Sequence, residues 1–259
     1  DSLDGLDTRG LQAVYRYHDA QTDDAALTRA VMQSAIGLGA TLACPAEFSA
    51  ASINRQGSEI CYRQGGEEKL CSARALVNAA GPWAGEVDAR ITPTPAPVPV
   101  DLIQGTHLIL PEPLARGCYS LEAAADRRAV FLLPWGEQSM LGTTENLYLG
   151  DPAGVQPLDV EESYLLAVLQ QYFPDRSTRV VDRFAGLRVL PASGSAAFRR
   201  SRETHLPVDD PRQPYRVSIY GGKLTGYRAT AHKVLKLLQR SLPARKAIAD
   251  TARLPLHPA

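Results

Sequence analysis

No stretch of this 259-residue chain holds the roughly 18–20 consecutive apolar residues that a membrane-crossing helix needs. Neither sign of charge is in excess, with Lys and Arg at 28 and Asp and Glu at 28. That balance excludes the basic face of a nucleic-acid binder. Cysteine is sparse. Cys44, Cys61, Cys71 and Cys118 show no CxxC spacing, so reduced, buried thiols in a cytosolic protein are expected rather than a disulfide framework. The histidines, His18, His107, His205, His232 and His257, form no HxH or HExxH pattern, and no metal site is predicted. Internal repeats and low-complexity tracts are lacking too. Residues 1–7 (DSLDGLD) carry no signal or transit pattern and no initiator methionine. A chain that starts partway into a longer protein is the expectation. Its length suits one large domain or two modest ones.

What is present is a succession of short strands and helices. Residues 11–17 alternate weakly and predict a strand. Thr22 is placed to cap a helix from Asp23, with Leu27, Ala30, Val31, Ala35 and Leu38 as its apolar stripe and Gly37 and Gly39 at its end. Segments 40–44, 47–54, 58–63 and 69–72 predict a small antiparallel meander. The run 73–80 (ARALVNAA), closed by Gly81-Pro82, has the pattern of a buried parallel strand. Four prolines alternate over 91–100, a stiff connector and a domain crossing. Strands are predicted next at 106–110, 130–134 and 139–143, the last two a hairpin. Asp159, with Glu162 as its N3 acid, predicts a helix running to about Phe173. Further strands are predicted at 180–190 and 200–206.

Chemistry concentrates in residues 219–228 (IYGGKLTGYR). A strand over 216–220, a Gly-Gly turn and a helix with Ala231, Val234, Leu235 and Leu238 at i, i+3, i+4, i+7 make an anion site. The glycines admit a ligand to the backbone, and the helix start and Lys223 supply positive potential. An ordinary strand-to-helix turn with an exposed lysine fits the local pattern equally well.

Four motifs occur in the order found in FAD-dependent glycerol-3-phosphate dehydrogenases of the D-amino-acid-oxidase-like flavoprotein superfamily, which the chain resembles. They are Val77-Asn78-Ala79-Ala80-Gly81-Pro82-Trp83, Gly105-Thr106-His107, Ala185-Gly186-Leu187-Arg188-Val189-Leu190 and Gly221-Gly222-Lys223-Leu224-Thr225-Gly226-Tyr227-Arg228. The resemblance runs from about Tyr15 onward. It implies an α/β plus α+β fold: the remainder of an FAD-binding Rossmann-like domain interleaved with an antiparallel or mixed-sheet substrate domain. Residues 1–20 would be a substrate-domain strand, 21–90 part of the FAD-binding domain, 91–205 the substrate domain, and 206–259 the return to the FAD-binding domain. The GxGxxG motif of that superfamily is absent, as are the acidic residue for the adenosine ribose and an active-site arginine and tyrosine. A truncated member is therefore expected, inactive by itself and binding FAD weakly or not at all.

Residue roles follow from the same resemblance. Ala80, Gly81, Trp83, Gly186, Gly221, Gly222, Lys223, Leu224 and Thr225 would contact FAD. Lys223 and the helix start would face the flavin edge where negative charge develops. His107, by itself more often a core histidine, would take the C2 hydroxyl proton of the substrate. Arg188, which needs either a carboxylate or a ligand phosphate as partner, would act at the substrate together with Thr106. Arg202 would be a second phosphate ligand, though clustered arginines usually coat a surface. The implied partners are a small phosphorylated substrate and quinone or oxygen as electron acceptor. The location is cytoplasmic, peripheral on the inner face of the cytoplasmic membrane for quinone-reducing members. Uncovered sheet edges make self-association an expectation. A related amine or hydroxyacid oxidase, and a non-catalytic folded module, remain the alternatives.

Overall fold

The computed structural model describes residues 3–192 and 203–256, so Arg202 lies outside the described residues. The chain divides into a first unit, Asp1–Arg16 with Pro99–Ser201, and a second unit, Tyr17–Val98 with Arg202–Ala259. The proline-rich segment leads up to the crossing between them.

The second unit opens with α1 (Asp24–Gly37). Asp23, not Thr22, caps it: its extended backbone lets the carboxylate accept the Ala26 N–H at 2.8 Å. Of the apolar stripe only Ala30 is fully buried. A meander follows, β1 (Glu47–Asn54), β2 (Gly57–Gln64) and β3 (Glu67–Ala73), paired antiparallel as predicted. Gly65 and Gly66, at φ +62° and +85°, make the two-residue turn that matches strand twist. Residues 40–44 form no strand. Next come β4 (Leu76–Asn78), α2 (Ala84–Ala89) and β5 (Ile91–Thr92), the last running parallel to β1.

The first unit holds β6 (Val100–Leu110), β7 (Tyr119–Glu122), β8 (Ala129–Trp135), β9 (Gln138–Gly142), β10 (Asn146–Tyr148), α3 (Asp159–Tyr172) and β11 (Asp182–Pro191). These strands form one antiparallel sheet around β6, which pairs with β11 along its length and with β10 and β9 in turn. The β8–β9 hairpin closes at Trp135 opposite Gln138. Every second residue of β6 faces α3: Leu108 and Leu110 pack with Leu132, Leu141, Leu165, Leu169 and Phe173, all fully buried. The N3 acid of α3 is Glu161 rather than Glu162, and its carboxylate accepts the Leu158 N–H at 3.1 Å. Burial makes the choice, because Glu161 turns into the core while Glu162 turns outward to Arg183 at 2.8 Å. Asp4 fastens the amino-terminal residues to this unit, accepting the Ala115 and Arg116 N–H groups and the Tyr119 hydroxyl. Residues 11–17 are not a strand. None of the described strands pairs with them, and Tyr15 is 88 % exposed.

Back in the second unit, β12 (Thr204–His205) pairs with β14 (Tyr220–Gly221), and β13 (Arg216–Ser218) runs parallel to β4. A 3₁₀ turn over Leu224–Gly226 leads into α4 (Tyr227–Leu238), so the α-helix begins later than Thr225. Val234 and Leu238 of α4 pack on Val217 in a small core, while Leu235 is exposed. No disulfide joins Cys44, Cys61, Cys71 and Cys118, and against expectation none of these thiols is fully buried. No described helix is long and apolar enough to cross a membrane.

Candidate functional site

Two glycine turns leave neighbouring parallel strands at the same end. β4 and β13 are in register with Asn78 opposite Ser218, and the Ile219 N–H donates to the Asn78 carbonyl at 2.9 Å. After Asn78 the chain turns through Ala79-Ala80 into a 3₁₀ turn at Gly81–Trp83 and then α2. After Ser218 it passes through Tyr220–Gly221, Gly222 and Lys223 toward α4. The carboxyl ends of parallel strands are where α/β sheets bind ligands. Gly81, Gly221 and Gly222 have φ of +56°, +72° and +92°, which side chains other than glycine adopt at a cost. A Cβ at Gly81 would meet no atom within 4 Å, so the backbone there is bare toward a ligand. At Gly222 it would press on the Thr204 hydroxyl. Lys223, Leu224 and Thr225 are exposed, and the first turn of α4 carries no acidic residue. These features suit an anionic group.

Beneath the turns lies a buried polar cluster that the sequence reading missed. Asp88 of α2 accepts from Asn78 Nδ2 at 2.8 Å, Ser218 Oγ at 2.7 Å and the Tyr220 hydroxyl at 2.9 Å. Arg216 Nη1 lies 3.7 Å from the same carboxylate and donates to Ser218 Oγ at 2.6 Å. All five residues are buried. Burial, then the bond to Asp88, pushes the Tyr220 phenol up to about 12.

In the first unit, the strand register brings His107 and Arg188 to one face of the sheet. His107 pairs with Phe184, Gly105 with Gly186, and Ile103 with Arg188. Alternation puts these three rungs on the same side, with only glycine between the imidazole and the guanidinium rungs. His107 stacks on Phe184 with ring centroids 5.1 Å apart and sits over Gly142, where a Cβ would run into the ring. Arg188 leans over Gly105: Nη1 meets Glu145 Oε1 at 2.6 Å and Nη2 donates to Thr143 Oγ1 at 3.1 Å. The partner that a half-buried arginine requires is thus Glu145, itself largely buried. No role was expected of Glu145, although the sequence Leu141-Gly142-Thr143-Thr144-Glu145 is itself a further point of resemblance to that flavoprotein family.

Thr106 does not join this face. As the neighbour of His107 in β6 it points to the opposite side, is 0 % exposed, and donates its hydroxyl to Glu161 at 2.6 Å. The expectation of a substrate contact there is corrected by strand alternation. Glu161 gathers four further donors: Gln104 Nε2 at 2.6 Å, Thr144 Oγ1 and Asn146 Nδ2 at 2.7 Å each, and the Leu158 N–H. Burial alone would raise its pKa. The hydroxyls of Thr106 and Thr144, the Leu158 amide and Asn146 outweigh it and hold the carboxyl below its ordinary range.

The residues expected to act thus fall into two sets. Ala80, Gly81, Trp83, Gly221, Gly222, Lys223, Leu224 and Thr225 belong to the second unit, and His107, Gly186 and Arg188 to the first.

Comparison with known proteins gives this geometry a lineage. The chain is 38 % identical over 192 residues to a glycerol-3-phosphate dehydrogenase of Pseudomonas aeruginosa, covering 71 % of this chain and 37 % of that protein. It is 30 % identical over 233 residues to the aerobic glycerol-3-phosphate dehydrogenase of Escherichia coli, covering 86 % and 46 %. The chain therefore spans less than half the length of these relatives. Its fold is that of the glycerol-3-phosphate dehydrogenase from Bacillus halodurans solved with FAD, with a TM-score of 0.70 at 24 % identity over 85 % of this chain and 43 % of that one. The family model for FAD dependent oxidoreductases (DAO) matches residues 3–242, and the chain belongs to that family.

Proposed function

We propose that the intact protein oxidises sn-glycerol 3-phosphate to dihydroxyacetone phosphate, with FAD as the hydride acceptor. One observation carries the assignment: turns built on left-handed glycines, bare at Gly81, end the adjacent parallel strands β4 and β13, in a chain of this family. The relatives named above supply the substrate.

The second unit takes the cofactor role. Ala80, Gly81 and Trp83 on one turn, and Gly221, Gly222, Lys223, Leu224 and Thr225 on the other, are the residues that hold FAD. The bare backbone at Gly81 and the positive potential before α4 fit an anionic, planar group. FAD, when bound, supplies a two-electron acceptor for the hydride leaving C2. Lys223 stabilises negative charge at that site.

The first unit takes the substrate role. Arg188, steadied by Glu145 and Thr143, binds the phosphate, and His107, held by Phe184, takes the C2 hydroxyl proton. Gly105 gives Arg188 and Thr143 room to lie across the sheet, and Gly186 leaves its part of the face open. Electrons pass on to quinone or oxygen, and a peripheral position at the inner face of the cytoplasmic membrane goes with quinone.

Anaerobic addition of sn-glycerol 3-phosphate to the purified flavin-loaded protein should bleach the visible flavin band. The phosphate-free glycerol should not bleach it at the same concentration. Bleaching by glycine or another amino acid, with glycerol 3-phosphate inert, would overturn the substrate assignment. Arg188→Lys keeps the charge but loses the fork, and the Michaelis constant should rise on the order of tenfold. An unchanged constant removes Arg188 from the phosphate.

A further inference from the structure

The two glycine turns share a buried anchor. On one side, Asn78 shapes the first turn: its Oδ1 accepts the Ala80 N–H at 3.1 Å, and its Nδ2 donates to the Ala84 carbonyl at 2.8 Å. On the other side, Ser218 and Tyr220 bracket Ile219, immediately before Gly221-Gly222. Asp88 binds both sides. Its Oδ1 takes the Asn78 amide and the Ser218 hydroxyl, and its Oδ2 takes the Tyr220 hydroxyl. Arg216 balances the charge from within β13. Each of these side chains lies in the interior, so none is available to touch a ligand itself.

A carboxylate inside a protein is costly unless its charge is met, and here every partner comes from a strand that runs into one of the turns. Chemistry alone did not require this. An apolar residue at 88 would fill the volume without the desolvation penalty. What the carboxylate adds is a fixed distance between the Asn78 amide and the Tyr220 hydroxyl, and hence between the turns that follow them.

We propose that Asp88 is a positioning residue: it locks the turn at 80–84 to the turn at 220–222, so that both present their backbone to one FAD molecule at once. This inference rests on the assignment of those turns to FAD. Asp88 never contacts the cofactor. It sets the affinity by removing the freedom the two turns would otherwise lose on binding.

The test is FAD titration of the intact apoprotein, followed by quenching of flavin fluorescence, with amide hydrogen exchange on the same samples. Three variants are compared with the wild type. Asp88→Asn keeps the size of the side chain but loses the charge and leaves a donor facing donors. Tyr220→Phe removes a single bond to Asp88. Val234→Ala damages the small apolar core of the same unit, formed with Val217 and Leu238, without touching the Asp88 cluster. Asp88→Asn should weaken FAD binding at least tenfold and speed exchange of the amides of 79–81, 83–84 and 219–222 together. Tyr220→Phe should weaken binding severalfold. Val234→Ala should lower the melting temperature with the dissociation constant within about twofold of wild type.

A wild-type apoprotein that takes up no FAD overturns the cofactor assignment and this inference with it. Asp88→Asn binding FAD as the wild type does overturns the inference alone. Equal weakening by Asp88→Asn and Val234→Ala, at equal loss of melting temperature, also overturns it, since general destabilisation would then suffice. Should Asp88→Asn fail to fold, Tyr220→Phe decides: a wild-type constant and unchanged exchange at 79–81 and 83–84 sink the proposal.

Discussion

Glu161 is fully enclosed and yet carries a carboxylate below its ordinary pKa, because five donors from four segments converge on it. The unfolded chain then binds the proton more readily than the folded one. The stability this provides is complete above about pH 5 and is lost as pH falls through the folded pKa. Glu161→Gln places an amide against donors and should cost about 2–3 kcal/mol at neutral pH. It should also flatten the fall in melting temperature below about pH 5, as calorimetry would record. An equally steep acid profile in the variant would show that another carboxylate carries it. On the opposite face, glycine rather than charge governs geometry. A Cβ at Gly142 would drive the His107 ring off Phe184 while leaving Arg188 untouched. Gly142→Ala should therefore lower turnover on the order of tenfold while the Michaelis constant for the phosphorylated substrate stays within about twofold. Undiminished turnover would remove His107 from the reacting atoms.

Among the elements, α3 is the one on which the first unit's core depends. Leu165 and Leu169 stand one turn apart and close the sheet formed by β6 to β9. Leu169→Ala should cost about 2–5 kcal/mol in urea unfolding, and a loss below about 1 kcal/mol would mean the site collapses around the gap. The same helix marks the limit of what local pattern conveys. Its extent, the hairpin at 135–138, the meander and the parallel strand before Gly81 were legible, because periodicity and turn residues report directly on which face is buried. Its cap was not. Two acids one residue apart satisfy the same spacing, and only the tertiary surroundings select Glu161 over Glu162. Residues 11–17 failed for a related reason, since alternation records a capacity for pairing but not the presence of a partner. In the candidate site, His107, Arg188 and the glycine turns could be named from motifs. The roles of Glu145, Asp88 and Glu161 could not, because a charge buried by non-local contacts leaves no periodic trace. Thr106 was drawn in by adjacency to His107, where a period of two sends neighbours to opposite faces.

At the scale of the whole molecule, the cores of the two units are separate, one built on β6 and α3 and the other on β13 and α4. The chain also carries one tryptophan in each, Trp83 in the second unit and Trp135 in the first. Unfolding can therefore be followed unit by unit, using Trp135→Phe to isolate the signal of Trp83 and Trp83→Phe to isolate that of Trp135. A ligand that binds only folded protein adds RT ln(1 + [L]/Kd), about 2.7 kcal/mol at a hundredfold excess over Kd. If the turns after β4 and β13 hold FAD, that increment belongs to the unit containing them. Denaturant titration with and without a hundredfold excess of FAD over Kd should raise the unfolding free energy reported by Trp83 by close to this amount and that reported by Trp135 by much less. Equal shifts would mean the units unfold as one or share the cofactor. A larger shift at Trp135 would move the cofactor out of the second unit, and the roles of Gly81, Gly221, Gly222 and Lys223 would go with it.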